Sequence, residues 1–228
     1  MAAGAAAPTK MLKKLIPPYA RRPLLAVLIF NFACYYIPKA LESHRTLHVL
    51  STALDDALPR VPVFIYIYIL AYIQWVVSYI VICRDSPERC FRFVSGELIA
   101  KAITMAILLI WPTTLVRPPV EVRDATTWVL DFIYHADTPT NLFPSLHCLL
   151  SWLCFRWSLG LRRMPRWYGW VQGVFSFLVF ASVLLVKQHV WPDVLGGIAV
   201  AELGILISRL LRADRLVAKL DHSARSHV

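Results

Sequence analysis

The chain has 228 residues, 58% of them hydrophobic and 17% charged, with a mean hydropathy of +0.57 and a formal net charge of +10. A soluble domain of this length carries more charge and less continuous apolar sequence, so that class is excluded. The positive charge makes no basic stripe on a polar domain; it flanks apolar runs, which excludes nucleic acid as a partner and points to membrane topology instead.

Residues 1–22 read as a cytoplasmic tail, Ala-rich at first and then carrying Lys10, Lys13, Lys14, Arg21 and Arg22. No cleavable signal peptide is expected, because the apolar run that follows is long enough to remain as an anchor. Helices of about 17–25 residues cross a bilayer core about 30 Å thick, and six candidate spans follow one another: 23–38, 61–83, 97–112, 143–161, 168–186 and 192–211. The second contains IYIYILAYIQWVVSYIV, whose length and lack of turn residues point to a helix in lipid rather than a strand. The sequence has no internal repeat and no linker that would divide domains. The predicted fold is therefore all-α: a six-transmembrane helical bundle over 23–211, with a basic cytoplasmic tail over 212–228.

Orientation follows from the Lys/Arg distribution. With the N-terminus in the cytoplasm, only six of the 24 basic residues fall on the opposite face: Lys39, Arg45, Arg60, Arg117, Arg123 and Lys187. Arg84, Arg89 and Arg92 are expected in one cytoplasmic loop, and Arg162, Arg163 and Arg166 beside Arg156 in another. Both termini are then cytoplasmic. Trp and Tyr gather near the proposed span ends (Tyr35, Tyr36, Trp111, Trp167, Tyr168, Trp170, Trp191), as interface anchors do. The five cysteines form no CxxC pair and several lie in apolar runs, so buried free thiols are expected, with no disulfide framework and no metal site.

Three non-cytoplasmic span ends carry polar residues at apolar borders: WPTTLVRPP (111–119), NLFPSLH (141–147) and VKQHVWPD (186–193). Such residues are costly in lipid and face a bundle interior or a cavity, so the topology brings Arg117, Ser145, His147, Lys187, His189 and Asp193 to one depth. Arg117 and Lys187 supply positive charge for an anion. Ser145 offers a hydroxyl near a helix start, where backbone N–H groups also favour anions. His189 and Asp193 are four apart, so on a helix the carboxylate can hold one ring nitrogen and leave the other free to attack. His147 can protonate a leaving oxygen. Together these roles describe phosphoryl transfer through a phosphohistidine. Glu202, nine residues past Asp193, is expected on another face of the last helix; Gly196 and Gly197 are expected to permit close helix packing. His135, Asp137 and Asn141 precede the fourth span and are candidates for the pocket mouth.

These segments resemble the motifs of the type 2 phosphatidic acid phosphatase superfamily, K-x6-R-P, P-S-x-x-H or P-S-x-H, and S-R-x5-H-x3-D. Arg117-Pro118 matches the end of the first, Pro144-Ser145-Leu146-His147 the second, and Ser182 with His189 and Asp193 the third. The family's Lys falls at Ile110 and its third-motif Arg at Val183, so two cationic clamps are replaced, with Lys187 a substitute for one. The FPSLH segment and the KQH–D pattern look most like the branch that contains inositol phosphorylceramide synthases. The resemblance implies His189 as nucleophile, Asp193 as its partner, His147 as general acid, Arg117 and Ser145 as phosphate ligands, and no metal or other cofactor. It implies a lipid phosphatase acting on a phosphate ester or diphosphate. The alternative is a head-group phosphotransferase with an alcohol acceptor, and a third reading is a non-enzymatic lipid-binding protein. Its expected partners are a phosphorylated lipid substrate and membrane lipids. Its expected place is the plasma membrane, with the active site on the non-cytoplasmic face.

Overall fold

The computed structural model describes residues 15–41 and 45–221. The first 14 residues, with Lys10, Lys13 and Lys14 of the expected tail, and residues 222–228 lie outside these described residues. The chain is mostly helical. Helix α1 is Pro18–Ala40, α2 is Ala53–Ala57 and α3 is Ile65–Asp85, entered through a 3-10 turn at Pro62–Phe64. Helix α4 is Pro87–Ile110, α5 Ala125–Ala136, α6 Leu146–Ser158, α7 Arg166–Leu185, α8 Trp191–Leu211 and α9 Asp214–Ala218. Among the described residues, five helices are long and apolar enough to cross a membrane: α1, α3 with its 3-10 turn, α4, α7 and α8.

The expected fourth span, 143–161, is the exception: its helix has only 13 residues. It starts late because Ser145 is extended and caps it, its hydroxyl accepting from the Cys148 N–H at 3.3 Å. It ends early because Arg89 takes its last carbonyls, donating to Trp157, Leu159 and Gly160 at 2.8–3.0 Å. Arg89 and Arg92 are therefore not in a loop. Helix α4 begins ten residues before the expected third span, directly after α3, with Ser86 as its cap and Pro87 in its first turn, where a missing N–H costs nothing. Arg21 and Arg22 likewise belong to α1 rather than to a tail, since Pro18 starts that helix. Past Arg212 the chain turns into α9 instead of continuing as a tail, with Val217 buried in the core.

Apolar side chains cover the outside of the bundle: Ile29, Ile73, Val76, Val174, Phe177 and Leu210 are all exposed. Polar side chains are inside, and many of them pair with one another, as a lipid-embedded bundle favours. Gln74 donates to Gln172 at 3.0 Å, Ser95 and Ser208 share a hydrogen bond at 2.7 Å, and Lys101 pairs with Glu97 at 2.6 Å while Tyr79 donates to the same carboxylate. Arg156 and Trp152 hold Glu202, which accounts for that acid without any part in a site. Helix α4 packs against α8, and α6 against α7 and α8. The α4–α8 crossing is so close that a Cβ on Gly204 would lie 2.6 Å from the Gly96 carbonyl. All five cysteines are buried and free.

Candidate active site

The site is built at the end of the bundle where α6 and α8 begin and α7 ends. Helix α7 closes with Lys187 in the left-handed region (φ 55°), while Gln188 and His189 donate their N–H groups to the Val183 carbonyl at 2.9 and 3.0 Å. This is the Schellman arrangement with a lysine where glycine is usual. It reverses the chain tightly enough to present Gln188 and His189 at the mouth of the bundle. Helix α8 starts two residues later. Asp193, fully buried, accepts from the Val190 N–H and from His189 Nδ1, each at 3.1 Å. One carboxylate thus caps the helix and fixes the imidazole tautomer, leaving Nε2 of His189 with its lone pair.

Helix α6 is locked onto this turn. The Ser145 N–H donates to the Asp193 carbonyl at 3.0 Å, and Gly197 lets α8 approach so closely that a Cβ there would stand 2.6 Å from the Ser145 carbonyl. His147 follows on the first turn of α6. Its ring stacks on Tyr68 with centroids 4.1 Å apart and meets the edges of Tyr72 and Trp75. The three aromatics are spaced four and three apart on α3, one face of a helix. The two imidazoles lie 6.4 Å apart between centroids and line one cavity of about 220 Å³. Its wall also holds Tyr35, Tyr36, Tyr72, Asp137, Asn141 and Gln188. The Nε2 of His147 and the Nε2 of Gln188 are buried without a hydrogen-bond partner. A tetrahedral anion between the rings would supply acceptors to both.

The predicted cations are placed differently. Arg117 stands behind Gln188, not in the cavity wall. Its guanidinium donates to the Asp137 carbonyl at 2.6 Å and to the Gln188 side-chain oxygen, and it lies over the Tyr134 ring. Burial lowers its pKa from the usual value, with the Asp137 carboxylate opposing; a guanidinium stays charged regardless. Because Arg117 can only donate, Gln188 must turn its oxygen to it and its NH2 elsewhere. Lys187 does not reach the imidazole cavity: its ammonium donates to the Asp55 and Leu58 carbonyls at 2.7 Å each. It lines a neighbouring cavity of about 290 Å³ whose wall also includes Arg60 and His189. Left-handed backbone sends its side chain toward α2, where Asp55 in turn accepts from the Trp191 N–H at 2.7 Å. The Ser145 hydroxyl is occupied as a helix cap and fully buried.

His147, His189 and Asp193 come together as their spacing in the sequence indicates, but what surrounds them is not visible there. Gln188 carries no charge and so gave no signal in VKQHVWPD. The aromatic cradle was written into IYIYILAYIQW as a spacing of four and three, but it reads there as lipid-facing sequence. Asp137 does reach the cavity, accepting from Tyr35 at 2.8 Å, whereas His135 is exposed beside Asp131.

A family model described as the PAP2 superfamily matches residues 36–207, which run from late α1 through most of α8 and include every residue of this cavity except those at the N-terminal side of Tyr36. No curated protein and no solved structure matches the chain.

Proposed function

This chain belongs to the PAP2 superfamily, whose membership supports phosphatase or phosphotransferase activity in general, and from that premise we propose a membrane enzyme that removes a phosphoryl group from a lipid through a phosphohistidine on His189. The observation that carries this reading is the pair of imidazoles facing one cavity, 6.4 Å apart, with only His189 backed by a carboxylate. That asymmetry separates the roles. His189, its Nδ1–H held by Asp193, attacks phosphorus with Nε2, and Asp193 stabilises the positive charge that forms on the ring. The bond from phosphorus to the lipid oxygen breaks, and protonated His147 gives that oxygen its proton. Neutral His147 then takes a proton from water as the water attacks phosphorus, the P–N bond breaks, and phosphate leaves.

Charge on the phosphoryl oxygens is met by the Gln188 amide, oriented by Arg117, whose positive charge acts from behind it at low dielectric. Ser145 and Lys187 have positioning roles: one fixes the start of α6, the other the turn that carries His189. Six crossings are proposed, with α6 as the short one. Its 13 residues reach about 20 Å at 1.5 Å each, and the non-helical segment before it, residues 141–145, accounts for the remaining depth. Both termini then lie on the Arg-rich, cytoplasmic side, and the cavity opens toward the non-cytoplasmic leaflet, at the plasma membrane.

A second reading, head-group transfer as in the inositol phosphorylceramide synthase-like branch, is favoured by one feature. The cavity wall is rich in aromatic rings (Tyr35, Tyr36, Tyr72, Trp75), on whose faces the C–H groups of a polyol pack. One assay separates the readings. Purified protein in detergent, free of divalent metal, is given phosphatidate, phosphatidylglycerol phosphate, an isoprenyl diphosphate or a sphingolipid phosphate, with and without inositol. Free phosphate from at least one lipid, absent in His189→Ala, is expected. Inositol phosphate, formed at the expense of free phosphate and only when inositol is present, would favour transfer. Neither product from any lipid would contradict both.

A further inference from the structure

At the other end of the bundle, where α3, α6 and α8 finish, two confluent cavities of about 320 and 560 Å³ share Arg92, Trp157, Ile205 and Arg209 in their walls. The arginines there fall into two groups. Arg89, Arg92 and Arg156 are neutralised by Asp85, Glu88 and Glu202. Arg162, Arg209, Arg212 and Arg215 also line the crevice and make no salt bridge among the described residues. Arg209 feels Glu202, but that carboxylate is already held by Arg156. Two further observations mark the crevice as built. The Trp157 indole N–H is buried with no acceptor. Arg212 adopts φ 50°, ψ 42°, a left-handed conformation that non-glycine residues rarely take, and that turn folds α9 back so that Arg215 joins the same wall.

We propose that this crevice is a second anion site, distinct from the imidazole cavity, and that it binds the multiply phosphorylated headgroup of an anionic membrane lipid. Bare arginines explained by topology alone would sit apart in water. Here four guanidinium groups without a salt bridge, against one further carboxylate in the wall (Asp214), and an unpartnered indole donor converge on one concavity at the ends of membrane-spanning helices. Planar forks match phosphate oxygens two at a time, and basic pockets between helices at a membrane face recognise phosphorylated headgroups. The lipid source follows from position: a headgroup in the crevice keeps its acyl chains beside the exposed Leu206, Leu210 and Leu211 of α8.

The test uses the full chain carrying His189→Ala, so that the probe is not consumed, in detergent micelles. A fluorescent short-chain phosphatidylinositol bisphosphate is followed by anisotropy, with phosphatidylcholine as the lipid control. At about 1 kcal/mol per arginine, Arg212→Gly with Arg215→Gln weakens binding on the order of 25-fold. Arg212→Gly relieves the left-handed strain, so the thermal midpoint of the single variant without lipid holds or rises, which separates a lost contact from a lost fold. Binding unchanged in the double variant, or equal for phosphatidylcholine, overturns the site. Soluble inositol trisphosphate displacing the probe as well as the unlabelled lipid does overturns the assignment to a membrane source.

Discussion

His147 sits in an aromatic cradle with its Nε2 unpaired, and the proposed mechanism makes that nitrogen the proton donor. Replacing it with Phe keeps the stacking on Tyr68 and removes the proton. The expected loss in kcat is about 10²–10⁴-fold for a lipid phosphate; nitrophenyl phosphate, whose leaving group needs no proton, should still release a burst of about one nitrophenol per enzyme before slowed water attack limits turnover. Loss of that burst would assign the ring a structural task. Lys187 gives the opposite expectation. Its ammonium satisfies two carbonyls of the segment over α2, so Lys187→Met should lower stability by about 1–3 kcal/mol, read as a lower thermal midpoint, with KM little changed. The ionisable members of the site were legible because charged and titratable residues in apolar sequence have few reasons to be there. Their directions were not. Whether Lys187 reaches the phosphate or the neighbouring loop depends on a left-handed backbone residue, and nothing in VKQHVWPD specifies that. Gln188 was illegible because an amide among ionisable neighbours carries no distinguishing signal.

Helix starts and stops decide where those side chains stand. Five long helices were legible in the apolar runs, with ends shifted by what caps them. The unforeseen α3–α4 junction rests on Ser86 and Pro87, and the shortness of α6 on Arg89, which is 68 residues from the Trp157 carbonyl it caps. Contacts so distant in sequence leave no local pattern. The glycine pair was readable, and each member has its own neighbour: a Cβ on Gly196 would lie 2.5 Å from the Phe143 ring, one on Gly197 2.6 Å from the Ser145 carbonyl. An aromatic ring can give way more easily than a backbone carbonyl. Gly197→Ala is therefore expected to cost about 1–3 kcal/mol through forced separation of α6 and α8, and to lower kcat because that crossing sets the distance between the imidazoles. Gly196→Ala should affect activity less. Thermal unfolding and phosphate release on the two variants check the order.

On the scale of the molecule, His147, His189 and Asp193 collect at one end of the bundle and arginines at the other, since α6 and α8 run from the imidazoles toward the Arg-rich crevice. Single cysteines in a cysteine-free background test the orientation. Position 123 should label with an impermeant maleimide from outside intact cells and position 163 only after permeabilisation; the reverse pattern would invert the topology while leaving the site intact. Purified protein, quenched during turnover of a lipid carrying radioactive phosphate at the scissile position, should retain label that is stable in base and released by acid. That label should map to His189, disappear in His189→Ala and accumulate when water attack is slowed by His147→Phe with a leaving group that needs no proton. Turnover with no bound label in any of these proteins, or label persisting in His189→Ala, would contradict the account.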